Sequence, residues 1–220
     1  MTNTNAGDEA VAEGLYRSIN ANRIGDYIKE PLEEMMTPLL RGGEVSPLES
    51  MDIAQVLIFI HIDLLGYLCS ASASASDSVV NAVKFLRQYL GRVDEKYAKV
   101  GGLLYHLLRH GWIHRFTPKR LKLNNGTILD FQYSLDTNRE RHLKMVEIQG
   151  AKKLLISLSL LYNDLLSAIE LFAEDIRNNQ DVCDVFRRAF EMRREPEEEK
   201  RLRVRYNQDL DFIYGLLNQG

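Results

Sequence analysis

The run IAQVLIFIHIDLLGYLC, positions 53–69, constrains the fold more than any other stretch of the chain. It is apolar almost all round a helix, so it belongs either in a membrane or at the centre of a bundle that covers every face. Gln55, His61 and Asp63 interrupt it, and the uninterrupted apolar run is too short for a bilayer. The expectation is a buried central helix over about 47–69, with no membrane partner. His61 and Asp63 stand two apart and share no helix face; His61 reads as a hydrogen-bonded core histidine. The helix start is written in Ser46-Pro47-Leu48-Glu49: a cap, a proline at the first helical position and a capping-box glutamate.

Other segments carry the periodicity of covering helices. From about Asp8 to Leu40, Val11, Leu15, Ile19, Tyr27, Ile28, Leu32 and Met35 recur at three and four. Gly25 and Pro31 break or kink this segment, and Gly42-Gly43 ends it. A serine-rich linker, SASASASDS at 70–78, precedes a helix capped by Asp77 or Ser78, apolar at Val79, Val83, Leu86 and Leu90 and closed by Gly91. Asp94 caps the next helix, with Tyr97, Val100, Leu104 and Leu108 inward and Gly111 at its end. A long helix is expected over about Gln149–Asn178 and another over about 180–193. The mixed charges of Arg193–Arg205 predict a solvated helical extension over about 194–220, whose Phe212, Tyr214, Leu216 and Leu217 dock back on the body.

Between about 119 and 148 the period changes from 3.6 to 2. Leu121 and Leu123 precede Asn125-Gly126, and Leu129, Phe131, Tyr133 and Leu135 follow. HLKMVEI at 142–148 reads as a third antiparallel strand. The fold class is therefore mainly α, a helical bundle with a small antiparallel β-hairpin or meander inserted, in a single domain over 1–220.

A formal net charge of −3 leaves no overall basic field, so any nucleic-acid contact must come from a local patch. Cys69 and Cys183 have neither metal-ligand nor redox spacing and read as reduced thiols. The opening MTNTNAGDEA lacks the pattern of a secretion signal, and a cytoplasmic location is expected.

Chemistry concentrates in Tyr105–Pro118, YHLLRHGWIHRFTP, which holds three of the five histidines and the only tryptophan. Arg109 and His114 have four residues between them. A guanidinium can brace a phosphate's oxygens while an imidazole moves protons near neutral pH. Cations also sit well at a helix C-terminus, which explains Arg109, His110 and His114 without chemistry. His106 and His110, four apart, have a zinc-compatible spacing but no third ligand nearby; neither a metal nor a cofactor is expected. Arg115, Lys119, Arg120 and Lys122 form a basic rim suited to RNA.

The stretch Arg109-His110-Gly-Trp-Ile-His114 resembles the arginine–histidine motif of HEPN domains, all-helical bundles named for higher eukaryotes and prokaryotes nucleotide-binding. A polar residue often follows the motif arginine, and His110 fits. The resemblance implies a metal-independent endoribonuclease, a toxin or phage-defence effector in many relatives, working as a homodimer with both motifs in one cleft. It implies catalytic roles for Arg109 and His114, with His110 orienting, and RNA as substrate. A cognate antitoxin or other regulatory partner would accompany a toxin. Other HEPN members have lost catalysis and bind proteins or nucleotides, the alternative for this chain.

Overall fold

Helix α3 (Pro47–Leu68) packs against the helices before and after it in sequence and against the long helix Leu158–Asn178. The structure is a computed structural model, and it describes residues 6–41, 47–70, 78–109, 111, 119–192 and 199–217. Ala54, Ile58, Ile62, Leu65 and Leu68 of α3 are buried, whereas Ile53 and Ile60 remain exposed. The segment Met51–Leu68 is long and apolar enough to cross a membrane, with mean hydropathy 1.6, and half of it is buried inside the fold. His61 lies in the core with Nδ1 2.8 Å from the Leu57 carbonyl. The proposed caps Ser46 and Asp77, the Gly42-Gly43 stop and most of the serine-rich linker lie outside the described residues.

The first helical segment bends without breaking. Helix α1 (Ala6–Ile24) passes through a π-helical turn at Gly25–Lys29 into α2 (Glu30–Arg41). The Glu30 amide donates to the Gly25 carbonyl, and this wider turn carries the chain past Pro31, which has no N–H to give. The buried side chains are Ala21, Ile24, Ile28, Leu32 and Met36, while Val11, Leu15 and Ile19 face solvent.

Helix α4 (Ser78–Phe85) continues through a π turn at Leu86–Leu90 to Val93. It buries Asn81, Ala82, Phe85, Leu86, Tyr89 and Leu90, while Val79 and Val80 are exposed. Gly91 does not close it: its φ of −62° is helical. A Cβ on Gly66 would lie 2.5 Å from the Ala82 amide nitrogen, so only glycine lets α3 and α4 approach this closely. Asp94 caps α5 (Glu95–Leu104) as expected, its carboxylate accepting from the Lys96 amide at 3.0 Å. Helix α5 runs on through a third π turn, Tyr105–Arg109, and Gly111, expected to end it, is itself in helical backbone.

Helix α6 (Leu158–Asn178) lies across α1 and α3 and places Phe172 against Phe85, Tyr89 and Phe186, with ring centroids 6.3, 5.0 and 6.1 Å away. Helix α7 (Gln180–Met192) follows, close to the expected bounds.

The β insertion is present but larger and differently wired than a meander. Four strands, β1 (Leu121–Lys122), β2 (Ile128–Ser134), β3 (Lys144–Ile148) and β4 (Ala151–Ser157), lie in the order β1-β2-β4-β3. β2 and β4 pair in parallel, Phe131 opposite Leu154, while β3 and β4 form an antiparallel hairpin. The sheet is mixed because β3 folds back on the outside and leaves β4 the central place. The residues expected to begin the long helix, 151–157, are thus a strand. Ser157 ends it and caps α6, its hydroxyl accepting from the Leu160 amide at 3.2 Å.

The hairpin expected at Asn125-Gly126 is present, joining β1 to β2. At Asn125-Gly126 only the glycine has a positive φ, +83°, and Gly126 N–H donates to the Leu123 carbonyl at 2.9 Å. This is a three-residue hairpin loop with the glycine in the left-handed position. The two-residue turn with both φ values positive is Gln149-Gly150, +54° and +74°, joining β3 to β4.

The chain divides into two compact units, Met1–Ala189 and Phe190–Gly220. Within the second unit, α8 (Glu199–Leu217) is kinked at Tyr206, with φ −127° and ψ 36°. Glu199 Oε2 accepts from the Tyr214 hydroxyl at 2.5 Å, fifteen residues on, a contact that a straight helix rising about 1.5 Å per residue could not make. Arg203 ties the bend together, bonding Glu199, Asn207 and Asp211. Phe212, Tyr214, Leu216 and Leu217 are exposed.

Candidate functional site

Arg109 is the last residue of the Tyr105–Arg109 π turn, and Tyr105 is the first. Both reach the same carboxylate on α3. The Tyr105 hydroxyl donates to Asp63 Oδ1, and Arg109 Nε donates to Asp63 Oδ2 at 3.1 Å. The ion pair is partly open to solvent, the two side chains being 22% and 21% exposed. Its single contact runs through Nε, so the two terminal amino groups of the guanidinium, the fork that grips phosphate, are not part of it. Burial, reinforced by the hydrogen bond to Asp63, pushes the Tyr105 hydroxyl pKa well up and keeps it a proton donor.

The other sequence candidates are placed unevenly. His110, His114 and Arg115 lie outside the described residues. Lys119 is tied to the helix that carries the motif, its amide donating to the Leu107 carbonyl at 3.0 Å, so the chain beyond the motif returns to that helix. Arg120 is exposed, with Nη2 3.5 Å from Asp130 Oδ2, which offsets part of its charge. Lys122 is exposed on β1. His106 is exposed, and no group of three metal-ligating side chains occurs among the described residues.

Sequence reasoning missed Asp63 and Tyr105 as site members. The signal was there: a carboxylate inside a largely apolar helix is costly without a cation and hydrogen bonds, so Asp63 demanded a partner. Nothing in the sequence said which arginine supplies it.

A second cluster of the same composition lies deeper. The Tyr97 hydroxyl donates to Asp164 Oδ2 at 2.8 Å, and Arg139 grips the same carboxylate with two nitrogens, at 2.5 and 2.6 Å. His142 extends it. Its Nδ1 accepts from the Ser157 amide at 3.0 Å, which leaves the proton on Nε2, 2.8 Å from the Tyr97 oxygen. The Lys96 ammonium bonds the His142 carbonyl at 3.0 Å, and Arg139 also approaches Asp94 at 3.7 Å. Asp164 and His142 are each 1% exposed. Burial holds the His142 pKa down, at about 4. Next to it Leu143 adopts a left-handed φ of +53°, which costs a residue with a Cβ about 1–2 kcal/mol. This cluster joins the 136–143 turns and β4 to α5 and α6; Tyr97, His142 and Asp164 are buried, while the Arg139 side chain, 45% exposed, closes it from the solvent side, an arrangement suited to holding the fold.

A groove of about 940 Å³ lies between the Gly25–Lys29 turn and α6. Lys29 and Glu170 on its walls already pair at 2.6 Å, and none of the candidate residues lines it. No protein family, curated protein or solved structure matches this chain.

Proposed function

We propose that this chain is a metal-independent endoribonuclease of HEPN type, acting as a homodimer on single-stranded RNA. The observation that supports it is Arg109: a half-buried guanidinium at the end of the motif helix, anchored by Nε and not by the fork. Lys119, drawn back to the same helix, adds positive charge for the RNA backbone. In this reading the ribose 2′-oxygen attacks the neighbouring phosphorus and His114 takes its proton. The bond to the 5′-oxygen breaks, and that oxygen takes up the proton that His114 carries. Arg109 stabilises the charge that builds on the phosphoryl oxygens. The products are a 2′,3′-cyclic phosphate and a 5′-hydroxyl. The dimer, a regulatory partner and a cytoplasmic setting belong to the same proposal and follow from the motif's resemblance.

One observation favours a second reading, a catalytically inactive HEPN-like module that binds a protein or nucleotide. Asp63 already balances the charge of Arg109. Cleavage of single-stranded RNA in EDTA separates the two readings. The nuclease reading expects cyclic-phosphate ends from the wild-type protein, and losses of about a hundredfold in both His114→Ala and Arg109→Ala. A well-folded wild-type protein, checked by circular dichroism, that leaves varied RNAs intact favours the binding module. Equal cleavage by all three proteins points to a contaminant.

A further inference from the structure

We propose that Asp63 is the positioning residue for Arg109, and that Tyr105 fixes Asp63 in turn. The proposal rests on the RNA-cleavage reading above. An arginine that must present its fork to a phosphate in one plane has a long, flexible stem, so something must stop it turning.

Asp63 is placed for that task. It stands on α3, and both of its oxygens are engaged by one turn of the neighbouring helix. Tyr105 takes Oδ1 and Arg109 takes Oδ2, and these two residues open and close the π turn. A carboxylate held on both oxygens cannot rotate about its own axis without losing a bond. The direction of Arg109 Nε is therefore set by the contact between two helices and not by the rotamer of one side chain.

The choice of nitrogen separates positioning from masking. A carboxylate gripping both terminal amino groups would occupy the edge that meets a phosphate. The contact through Nε orients the guanidinium from behind and keeps that edge out of the ion pair. Partial burial strengthens the hold over that of a surface pair.

The test uses the full chain with three substitutions, Asp63→Ala, Asp63→Asn and Tyr105→Phe. Two readouts are taken: steady-state cleavage of single-stranded RNA in EDTA, and the Arg109 Nε–H signal in a 15N spectrum. Positioning expects Asp63→Ala to lower kcat about ten- to a hundredfold with KM little changed, since charge stabilisation in the transition state is what is lost. Asp63→Asn keeps an acceptor for Nε and should recover most of that loss. Tyr105→Phe should cost roughly a few-fold, because one supporting hydrogen bond is lost while Arg109 keeps its own bond to Asp63. The Nε–H signal should be resolved and slowly exchanging in the wild type and merge with the bulk arginine signals in Asp63→Ala.

A kcat unchanged in Asp63→Ala, an Asn variant no better than Ala, or an unaltered Nε–H signal would each overturn the proposal. Should Asp63→Ala fail to fold, the Asn and Phe variants carry the test. If the wild type cleaves nothing, the nuclease reading falls, and the Nε–H signal alone decides whether Asp63 holds Arg109.

Discussion

The α5 helix and the π turn that extends it carry two tyrosines eight residues apart, and each donates to an aspartate that also holds an arginine. Tyr97, Asp164 and Arg139 make one cluster; Tyr105, Asp63 and Arg109 make the other. The chemistry is shared but the surroundings are not. Asp164 has 2% of its side chain exposed and is gripped through two guanidinium nitrogens, with His142 behind the tyrosine. Asp63 is about one-fifth exposed and held by one nitrogen. A carboxylate sealed from water must have all its partners supplied by the fold, whereas one near solvent can release a partner to water. The same three residue types are thus a structural lock in one place and a candidate binding group in the other.

The sharpest way to break the comparison is to remove each aspartate. Asp164→Ala leaves the buried Tyr97 hydroxyl without its acceptor and Arg139, whose side chain is 45% exposed, without its partner, and should cost about 3 kcal/mol. Asp63→Ala should cost roughly 1 kcal/mol or less, because water reaches Arg109. Urea melts of both variants measure the difference, and equal losses would erase the distinction.

Acid should act on the deeper cluster. The folded pKa of His142, about 4, lies below its ordinary 6.5, so the unfolded chain binds the extra proton first as pH falls. The stability this histidine contributes is complete above pH 6.5, declines between 6.5 and 4, and levels off below 4. The swing is at most about 3 kcal/mol, from 1.36 kcal/mol per pKa unit. Protonation of Nδ1 would also cost the hydrogen bond from the Ser157 amide. Melts at pH 7.5 and 5.0 should differ for the wild type and converge for His142→Gln; an unchanged difference would remove His142 as the cause.

The smallest effect compares the hydroxyls. Tyr97→Phe takes a partner from both His142 and Asp164 and should cost about 1–2 kcal/mol, whereas Tyr105→Phe should cost under about 1 kcal/mol. Thermal melts of the two variants rank them, and the reverse order would mean that Asp63 is the more enclosed carboxylate.

Legibility followed the range of the interactions. Asp94 as a helix cap, Pro47 at a helix start, His61 as a core residue and the hairpin at Asn125-Gly126 depend on neighbours a few residues away, and each could be read directly. Strand β4 could not. LLISLSLL, at 154–161, is apolar at almost every position, and such a run fits a buried strand or a buried helix equally well. What makes 151–157 a strand is its parallel pairing with Asp130–Ser134, some twenty residues earlier. The π turns were equally hidden: by widening one turn each, they shift which side chains face inward, so α4 buries Tyr89 and leaves Val79 outside.

The sequence by itself determined a mainly helical chain, the place of its β insertion and the arginine worth suspecting, because periodicity and capping are local. Only the tertiary structure decided that Asp63 partners Arg109, that Asp164 partners Arg139, and that the two clusters differ in exposure. A carboxylate in an apolar helix requires a cation, but which cation arrives, and whether water comes with it, depends on how helices distant in sequence are packed.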